Sequence, residues 1–153
     1  MPHLLNIRPS VSARLRNAQK VLLLSDFDGT LTPIVERPEL AVLAPEVRQT
    51  LLDLAGHEKF ILGVVSGRSL RDLQDKVGVP GVIYAGNHGL ELSGPGLEYV
   101  HPNADGMRQI QTEVFEILKN ELGHFPGVVL ENKGLSLSVH YRVAPDASVG
   151  QIQ

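Results

Sequence analysis

The segment that most constrains the fold is an apolar run that ends abruptly in two carboxylates. Residues Val21–Ser25 read Val-Leu-Leu-Leu-Ser, and Asp26-Phe27-Asp28-Gly29 follows at once. A strand buried on both faces of a parallel sheet has such an unbroken apolar run, and open α/β sheets bind ligands beyond the carboxyl ends of their strands. The segment therefore predicts a first strand that delivers two acidic side chains to a functional loop.

Apolar strands and amphipathic helices alternate after this loop. Pro45–Ala55 has apolar residues at helical spacing and opens with proline, which suits the first position of a helix. Phe60–Val65 predicts a second strand, Ser69 is expected to cap a helix that ends at Gly78, and Val82–Ala85 predicts a third strand. Strand, helix, strand, helix, strand in this order indicates an α/β fold with a parallel, right-handed sheet.

A different pattern begins after Gly89. Residues 90–92 and 97–99 alternate around Ser-Gly-Pro-Gly, as in a hairpin, and Asn103 is expected to cap a long helix that ends at Gly123. The apolar side chains of this helix are predicted to form one stripe. They are Met107, Ile110, Val114, Ile117 and Leu118.

Two further strands are predicted at residues 128–132 and 135–142. The second alternates apolar residues with polar ones, so it should have one dry face and one wet face. The polar set is Ser136, Ser138, His140 and Arg142. We therefore expect residues 1–101 to form the N-terminal part of an α/β core and residues 102–153 to form the first part of an α+β insertion.

Composition excludes several kinds of chemistry. The 153 residues include no cysteine, which rules out disulfides, thiolate metal sites and cysteine nucleophiles. The 14 Lys and Arg residues form no stripe among the 17 Asp and Glu residues, so nucleic acid is not expected as a partner. Residues 1–20 lack the apolar core of a signal peptide, and no run is long enough to span a bilayer. We expect no membrane partner and a cytoplasmic location.

Asp26 and Asp28 are candidate catalytic and metal-binding residues. In an extended segment, residues i and i+2 face the same side at roughly 6–7 Å, and Mg²⁺ prefers carboxylate oxygens together with phosphate and water oxygens. One carboxylate can attack phosphorus while the other protonates the leaving alkoxide. A lone Asp-x-Asp-Gly is also compatible with a calcium loop or a simple turn. The buried strand before it and Thr30-Leu31-Thr32-Pro33 after it favour the phosphate chemistry.

Ser66-Gly67-Arg68 is a candidate phosphate-binding loop, because it joins the second strand to the N-terminus of a helix. Free backbone N–H groups and the helix dipole favour an anion there, the Ser66 hydroxyl can add a hydrogen bond, and Arg68 offers a forked cation. The same tripeptide also suits an ordinary strand-to-helix turn.

Four stretches together resemble a known family. They are DFDGTLTPIV at 26–35, SGR at 66–68, GNHGLE at 86–91 and ENKGLSLSVHYR at 131–142. The first two resemble motifs of the haloacid-dehalogenase-like (HAD-like) phosphatases, and the last two resemble the trehalose-6-phosphate phosphatases within them. The resemblance, which covers about residues 20–145, implies a Rossmann-like parallel core with an α+β cap inserted over the active site.

The resemblance also implies an activity and residue roles. The activity is hydrolysis of trehalose 6-phosphate to trehalose and phosphate, in trehalose biosynthesis, through an aspartyl-phosphate and with Mg²⁺ as cofactor. Asp26 would be the nucleophile, Asp28 would be the acid/base and give its backbone carbonyl to the metal, and the Ser66–Gly67 segment would bind phosphate. The residues left for the substrate are Arg68, Asn87, His88, Glu131 and Lys133.

Alternatives stay open for several of these residues. Taken alone, Glu131 and Lys133 could be solvated turn residues, and His88 could be a structural histidine. A related capped phosphatase acting on sucrose- or mannosyl-phosphates shares the first two motifs. A non-catalytic remnant of the fold that binds sugar or a partner, for which a trehalose-phosphate synthase is the candidate, would also keep them.

Two further motifs of this superfamily, a lysine and an acidic pair that follow the cap, have no counterpart in these residues. Neither Lys119 nor Lys133 precedes a suitable strand, and Asp146 lies at what looks like the start of a cap helix. The chain is therefore expected to hold an incomplete core, with residues 21–25 as an exposed apolar edge. By itself it is expected to be marginally stable and poorly active.

Overall fold

The computed structural model describes residues 4–152, so the outer limits of the two expected domains, Met1–His3 and Gln153, lie outside the described residues. The helices are α1 (Arg8–Asn17), α2 (Pro45–Ala55), α3 (Leu70–Val77), α4 (Ala104–Leu122) and α5 (Asp146–Ile152). The strands are β1 (Val21–Asp26), β2 (Phe60–Val65), β3 (Ile83–Gly86), β4 (Glu91–Gly94), β5 (Leu97–Val100), β6 (Val129–Asn132) and β7 (Leu137–His140).

Within residues 4–152, strands β1 to β5 form one sheet in the order β1-β2-β3-β4-β5. The first three strands pair in parallel, and the β4–β5 hairpin continues the sheet in antiparallel pairing. The register aligns Asp26 with Val65 and Val65 with Ala85, so the three parallel strands end at the same edge. The expected α/β fold with a parallel core is confirmed, and this edge is where the predicted loops emerge.

The core lies under α2 and α3, which pack mainly on β2 and β3. Its fully buried side chains include Leu62, Leu73 and Phe27. Phe27 is 0% exposed and joins the same cluster although it sits between the two carboxylates. Because the side chains of an extended segment alternate in direction, burying Phe27 turns Asp26 and Asp28 outward.

Two predicted element ends are confirmed by their local contacts. The Ser69 hydroxyl accepts a hydrogen bond from the Asp72 N–H at 3.3 Å and begins α3, and Gly78 ends α3 in the left-handed conformation at φ 55°. Just beyond, the Tyr84 hydroxyl donates to the Val79 carbonyl at 2.7 Å and accepts from the Val79 N–H at 3.0 Å. Burial raises the pKa of the Tyr84 phenol, so this ring stays neutral and holds the turn that leads into β3.

Strand β1 is not buried on both faces, and that prediction was wrong for the described chain. Leu22 is 59% exposed and Leu24 is 57% exposed. The reason is position: β1 is the edge strand of the sheet and pairs with β2 on one side only. The exposure agrees with the expectation of an apolar edge at residues 21–25.

The second part of the chain consists of α4, the β6–β7 hairpin and α5. Helix α4 lies where it was predicted, but the Asn103 side chain makes no capping hydrogen bond, which corrects the expected cap. The predicted apolar stripe of α4 is largely exposed, with Ile110 at 60% and Ile117 at 59%. In the β6–β7 pairing Glu131 lies opposite Ser138, and both strands are shorter than predicted. Strand β7 begins later than predicted because residues 133–136 close the turn. The limits of the two domains stay a prediction.

Among residues 4–152, none of the helices combines the length and the apolar character needed to cross a bilayer.

Candidate active site

The loop after β1 is a tight turn that exposes both carboxylates. The Gly29 N–H donates to the Thr32 carbonyl at 2.8 Å, and the N–H groups of Leu31 and Thr32 donate to the Phe27 carbonyl at 3.1 and 3.0 Å. Gly29 has φ +87°, a left-handed conformation that a residue without a Cβ adopts readily. Asp26 is exposed, and its Oδ2 accepts one long hydrogen bond from the Thr30 hydroxyl at 3.4 Å.

Asp28 is held by a buried arginine. Arg68 is 5% exposed; its Nε donates to Asp28 Oδ2 at 2.9 Å, and its Nη2 donates to Asp28 Oδ1 at 2.7 Å. The other side of the guanidinium donates to Asp72 Oδ2 at 2.7 Å, and Nη2 also reaches the Pro38 carbonyl at 2.9 Å. The Arg68 guanidinium carbon lies 5.2 Å from the centre of the Phe27 ring. Arg68 therefore fixes the Asp28 carboxylate in a two-point pairing.

The charge state of Arg68 follows from these contacts. Burial alone lowers the pKa of the guanidinium, but the hydrogen bonds and charges of Asp28 and Asp72 outweigh burial and raise the pKa above its ordinary value. The cation is thus permanent. Its donors were predicted to face phosphate or sugar oxygens, and here they face two protein carboxylates; whether a substrate oxygen can also reach Arg68 stays a prediction.

We expect Arg68→Ala to lower the free energy of unfolding by about 1–3 kcal/mol, because it leaves two half-exposed carboxylates near one another without their shared cation. Arg68→Lys should recover only part of this loss, since an ammonium cannot form the two-point pairing. Arg71→Ala is the matched control. The Arg71 side chain is 93% exposed and its ion pair with Asp75 is long, at 4.0 Å, so we expect the free energy of unfolding to change by no more than about 0.5 kcal/mol. Urea unfolding of the three variants measures this. We call the pairing of Arg68 with Asp28 and Asp72 the Arg68 clamp. Equal urea midpoints for Arg68→Ala and Arg71→Ala would show that this clamp does not stabilise the fold.

The Ser66-Gly67-Arg68 loop lies directly beside the carboxylates. The Ser66 hydroxyl is 3.4 Å from Asp28 Oδ2 and accepts the Arg68 N–H at 3.2 Å. A Cβ at Gly67 would come within 2.6 Å of the His88 ring, so the imidazole packs against this glycine. The glycine thus permits the close approach of His88 to the predicted phosphate loop.

Asn87 joins the core to the second part of the chain. It is 0% exposed, its Nδ2 donates to Glu91 Oε2 at 2.7 Å and to the Lys133 carbonyl at 3.3 Å, and its Oδ1 accepts the Ser136 hydroxyl at 2.7 Å. Both Asn87 and His88 have positive φ, at 49° and 59°. Strained backbone of this kind is often found at functional sites.

Lys133 reaches from the β6–β7 turn to the predicted phosphate loop. Its Nζ donates to the Gly67 carbonyl at 3.0 Å and to the Ser138 hydroxyl at 2.7 Å, and it lies 3.7 Å from Glu131 Oε2. The same Glu131 oxygen is 2.9 Å from His140 Nε2. Glu131 and Lys133 are therefore not solvated turn residues but parts of a connected polar group.

An open cavity of about 670 Å³ lies between the carboxylate loop and the β6–β7 hairpin. Six of the predicted site residues line it, namely Asp28, Gly67, Arg68, His88, Glu131 and Lys133. Asp26, Ser66 and Asn87 do not line it. Sequence reasoning gave no role to several polar residues that do, and those on the wet face of residues 135–142 are Ser138, His140 and Arg142. The alternation of polar and apolar residues at 135–142 was the signal that could have identified them. The polar face of that strand lies on the same side of the hairpin as Glu131, which is paired with Ser138.

Comparison with known proteins identifies the family. A family model described as trehalose-phosphatase matches residues 24–153. The chain belongs to the trehalose-phosphatase family. It is 40% identical over 136 residues to the trehalose-phosphate phosphatase of Mycobacterium bovis strain BCG, and 40% identical over 128 residues to that of Mycobacterium avium. These matches cover 88% and 83% of this chain but 34% and 32% of the relatives, so the chain spans about a third of their length.

The fold comparison agrees with this family. The structure of the Candida albicans trehalose-6-phosphate phosphatase C-terminal domain is similar with a TM-score of 0.82 and 30% identity, over 95% of this chain and 50% of that one. The mixed α/β architecture of this trehalose-phosphatase member is thus the HAD-like fold that the four sequence stretches implied.

Proposed function

We propose that the protein hydrolyses trehalose 6-phosphate to trehalose and phosphate, in trehalose biosynthesis, with Asp26 as the nucleophile. The observation that carries the proposal is the pairing of an exposed carboxylate, Asp26, with an adjacent clamped one, Asp28, at the end of β1 beside the Ser66 loop. The Asp26 carboxylate makes one long hydrogen bond and can attack phosphorus, whereas the Asp28 carboxylate is held by its two hydrogen bonds from Arg68. The family supports phosphate-ester hydrolysis as the reaction.

Asp28 is proposed as the acid/base. It lines the cavity, so it can give a proton to the departing sugar oxygen and later take one from water. The Ser66 hydroxyl and the backbone around Gly67 would bind the phosphoryl oxygens at the N-terminal side of α3. His88, which packs on Gly67, would face the same oxygens or the sugar.

Mg²⁺ is the proposed cofactor, and the donors fit a hard cation in kind. The Asp26 carboxylate is exposed, while the carboxylate of Asp28 is committed to Arg68, so Asp28 would contribute its backbone carbonyl. In residues 4–152 no cluster of three or more acidic, His or Cys side chains is arranged around one point. The remaining ligands would then be phosphate and water oxygens. The bound metal would neutralise charge that develops on the phosphoryl group.

The sugar is proposed to lie against the β6–β7 hairpin. Glu131 and Lys133 line the cavity and would bind glucose hydroxyls. Asn87 would act from the buried junction behind them, through Ser136 and the Lys133 carbonyl. Arg68 would act on the substrate indirectly, by holding the Asp28 carboxylate at the cavity. A cytoplasmic location and a trehalose-phosphate synthase as partner stay predictions.

A substrate panel tests the proposal. Phosphate release with Mg²⁺ should be faster from trehalose 6-phosphate than from sucrose 6-phosphate, mannosyl phosphates or glucose 6-phosphate, by about tenfold or more, since each lost hydrogen bond to a hydroxyl costs about 0.5–1.5 kcal/mol and about 1.4 kcal/mol is a factor of ten. Preference for sucrose- or mannosyl-phosphates would favour the related sugar phosphatase instead. Trehalose binding in calorimetry without phosphate release or a phosphorylated Asp26 would favour a non-catalytic binding module.

A further inference from the structure

His140 and Glu131 form a pair on the wall of the cavity. Glu131 lies opposite Ser138, and His140 is two residues further along β7, so the two side chains are diagonal neighbours on one face of the hairpin. His140 Nε2 lies 2.9 Å from Glu131 Oε2, and the two side chains are 31% and 35% exposed. The contact is a hydrogen bond when Nε2 carries the proton and donates to the carboxylate.

Both basic groups near Glu131 contact one oxygen. Lys133 Nζ is 3.7 Å from Oε2, the atom that also contacts His140, and Lys133 is itself held by Ser138 and the Gly67 carbonyl. A carboxylate has about four lone-pair sites on its two oxygens, so two partners on Oε2 leave capacity for further donors. Lys133 balances the charge of Glu131, which suits an uncharged ligand rich in hydroxyl groups.

We infer that His140 is a positioning residue for sugar recognition, which holds the Glu131 carboxylate so that it accepts hydrogen bonds from the hydroxyls of an uncharged sugar unit. The inference rests on the proposed function for the sugar's identity. A free glutamate side chain has three rotatable bonds, and ordering them on binding weakens affinity. The hydrogen bond from His140 orders the Glu131 side chain before the sugar binds, so this loss of affinity is avoided. The neutral sugar unit of the substrate, not its phosphate, is the part that depends on His140.

The test measures binding of trehalose and of inorganic phosphate separately, by calorimetry on the whole chain. His140→Phe keeps a ring but removes the donor, and we expect it to weaken trehalose binding about tenfold, while inorganic phosphate binding changes by less than about twofold. His140→Gln restores an N–H donor and should recover most of the loss. His124→Phe is the matched control, since His124 is an exposed histidine that stacks on Phe125 and does not line the cavity.

A second measurement reads the pair without ligand. The imidazole nitrogen shifts of His140 in NMR spectra should move in Glu131→Gln and stay constant in Asp105→Asn, which alters an exposed carboxylate on α4. If the imidazole nitrogen shifts of His140 do not change in Glu131→Gln, the contact between His140 and Glu131 is ruled out.

The binding results separate this inference from the proposed function. Equal trehalose affinity in His140→Phe and the parent chain, a parallel loss of phosphate affinity, or no rescue by glutamine would each overturn the inference. So would a parent chain that binds no trehalose. Hydrolysis of trehalose 6-phosphate could persist in all these cases. Conversely, His140-dependent trehalose binding without phosphate release or phosphorylation would leave the inference standing and remove the proposed reaction.

Discussion

Replacement of Asp26 by asparagine is expected to lower phosphate release from trehalose 6-phosphate by at least about a thousandfold, because an amide cannot form the covalent intermediate that splits the reaction into two steps. The fold should survive. Asp26 is exposed, and the hydrogen bond that its Oδ2 accepts from Thr30 can equally be accepted by an amide oxygen. A change in unfolding free energy within about 0.5 kcal/mol is expected.

Acid-quench mass spectrometry gives the sharper measurement. After mixing with trehalose 6-phosphate and Mg²⁺, the peptide that contains Asp26 should gain one phosphoryl group, and Asp26→Asn should gain none. This labelling detects the covalent step even when turnover is slow. Asp75→Asn, with a carboxylate 74% exposed, is the control and should label normally. Labelling of Asp26→Asn at another residue would rule out Asp26 as the nucleophile.

Replacement of Asp28 by asparagine is expected to slow release from trehalose 6-phosphate by about 10²–10⁴-fold, the usual contribution of a general acid or base. Sugar alkoxides are poor leaving groups and need a proton, whereas a nitrophenolate leaves without one. The loss with p-nitrophenyl phosphate should therefore be much smaller in the phosphorylation step. The ratio of the two losses is the signature of an acid that acts on the leaving group.

The control for Asp28 must disturb the same clamp without touching the acid. Asp72→Asn does so, since Asp72 contacts Arg68 Nη1 while Asp28 contacts Nε and Nη2. We expect Asp72→Asn to alter stability but to slow both substrates equally. Equal losses for both substrates in Asp28→Asn, measured by single-turnover phosphorylation, would show that Asp28 only shapes the loop.

Sequence patterns predicted the elements well where the determining forces are local. Pro45–Ala55 and Phe60–Val65 form the helix and strand that were predicted, and Ser69 and Gly78 limit α3 as expected. Helical spacing, capping and left-handed glycine each depend on neighbours within a few positions. Asn103 is the exception, because its capping position is compatible with the sequence but no side-chain bond forms.

Burial was predicted less well because it depends on what covers an element. The leucines of β1 have the composition of a central strand, yet their exposure follows from an edge position that periodicity does not encode. Likewise the stripe of α4 has helical spacing, but Ile110 and Ile117 are exposed in the described residues. Apolar composition indicates which face prefers burial and not whether a partner is there.

The sequence by itself determined the HAD-like α/β order, the family, and the placement of Asp26, Ser66 and Asn87 at or directly after strand ends, because these follow from short-range spacing and motif. Only the tertiary structure decided which side chains contact one another in the candidate site. Arg68 pairs with Asp28 across 40 positions, and the Ser136 hydroxyl reaches Asn87 across 49. His140 became part of the site because the β6–β7 register sets it beside Glu131. Each of these contacts depends on packing and strand register, which bring together residues that local spacing cannot relate.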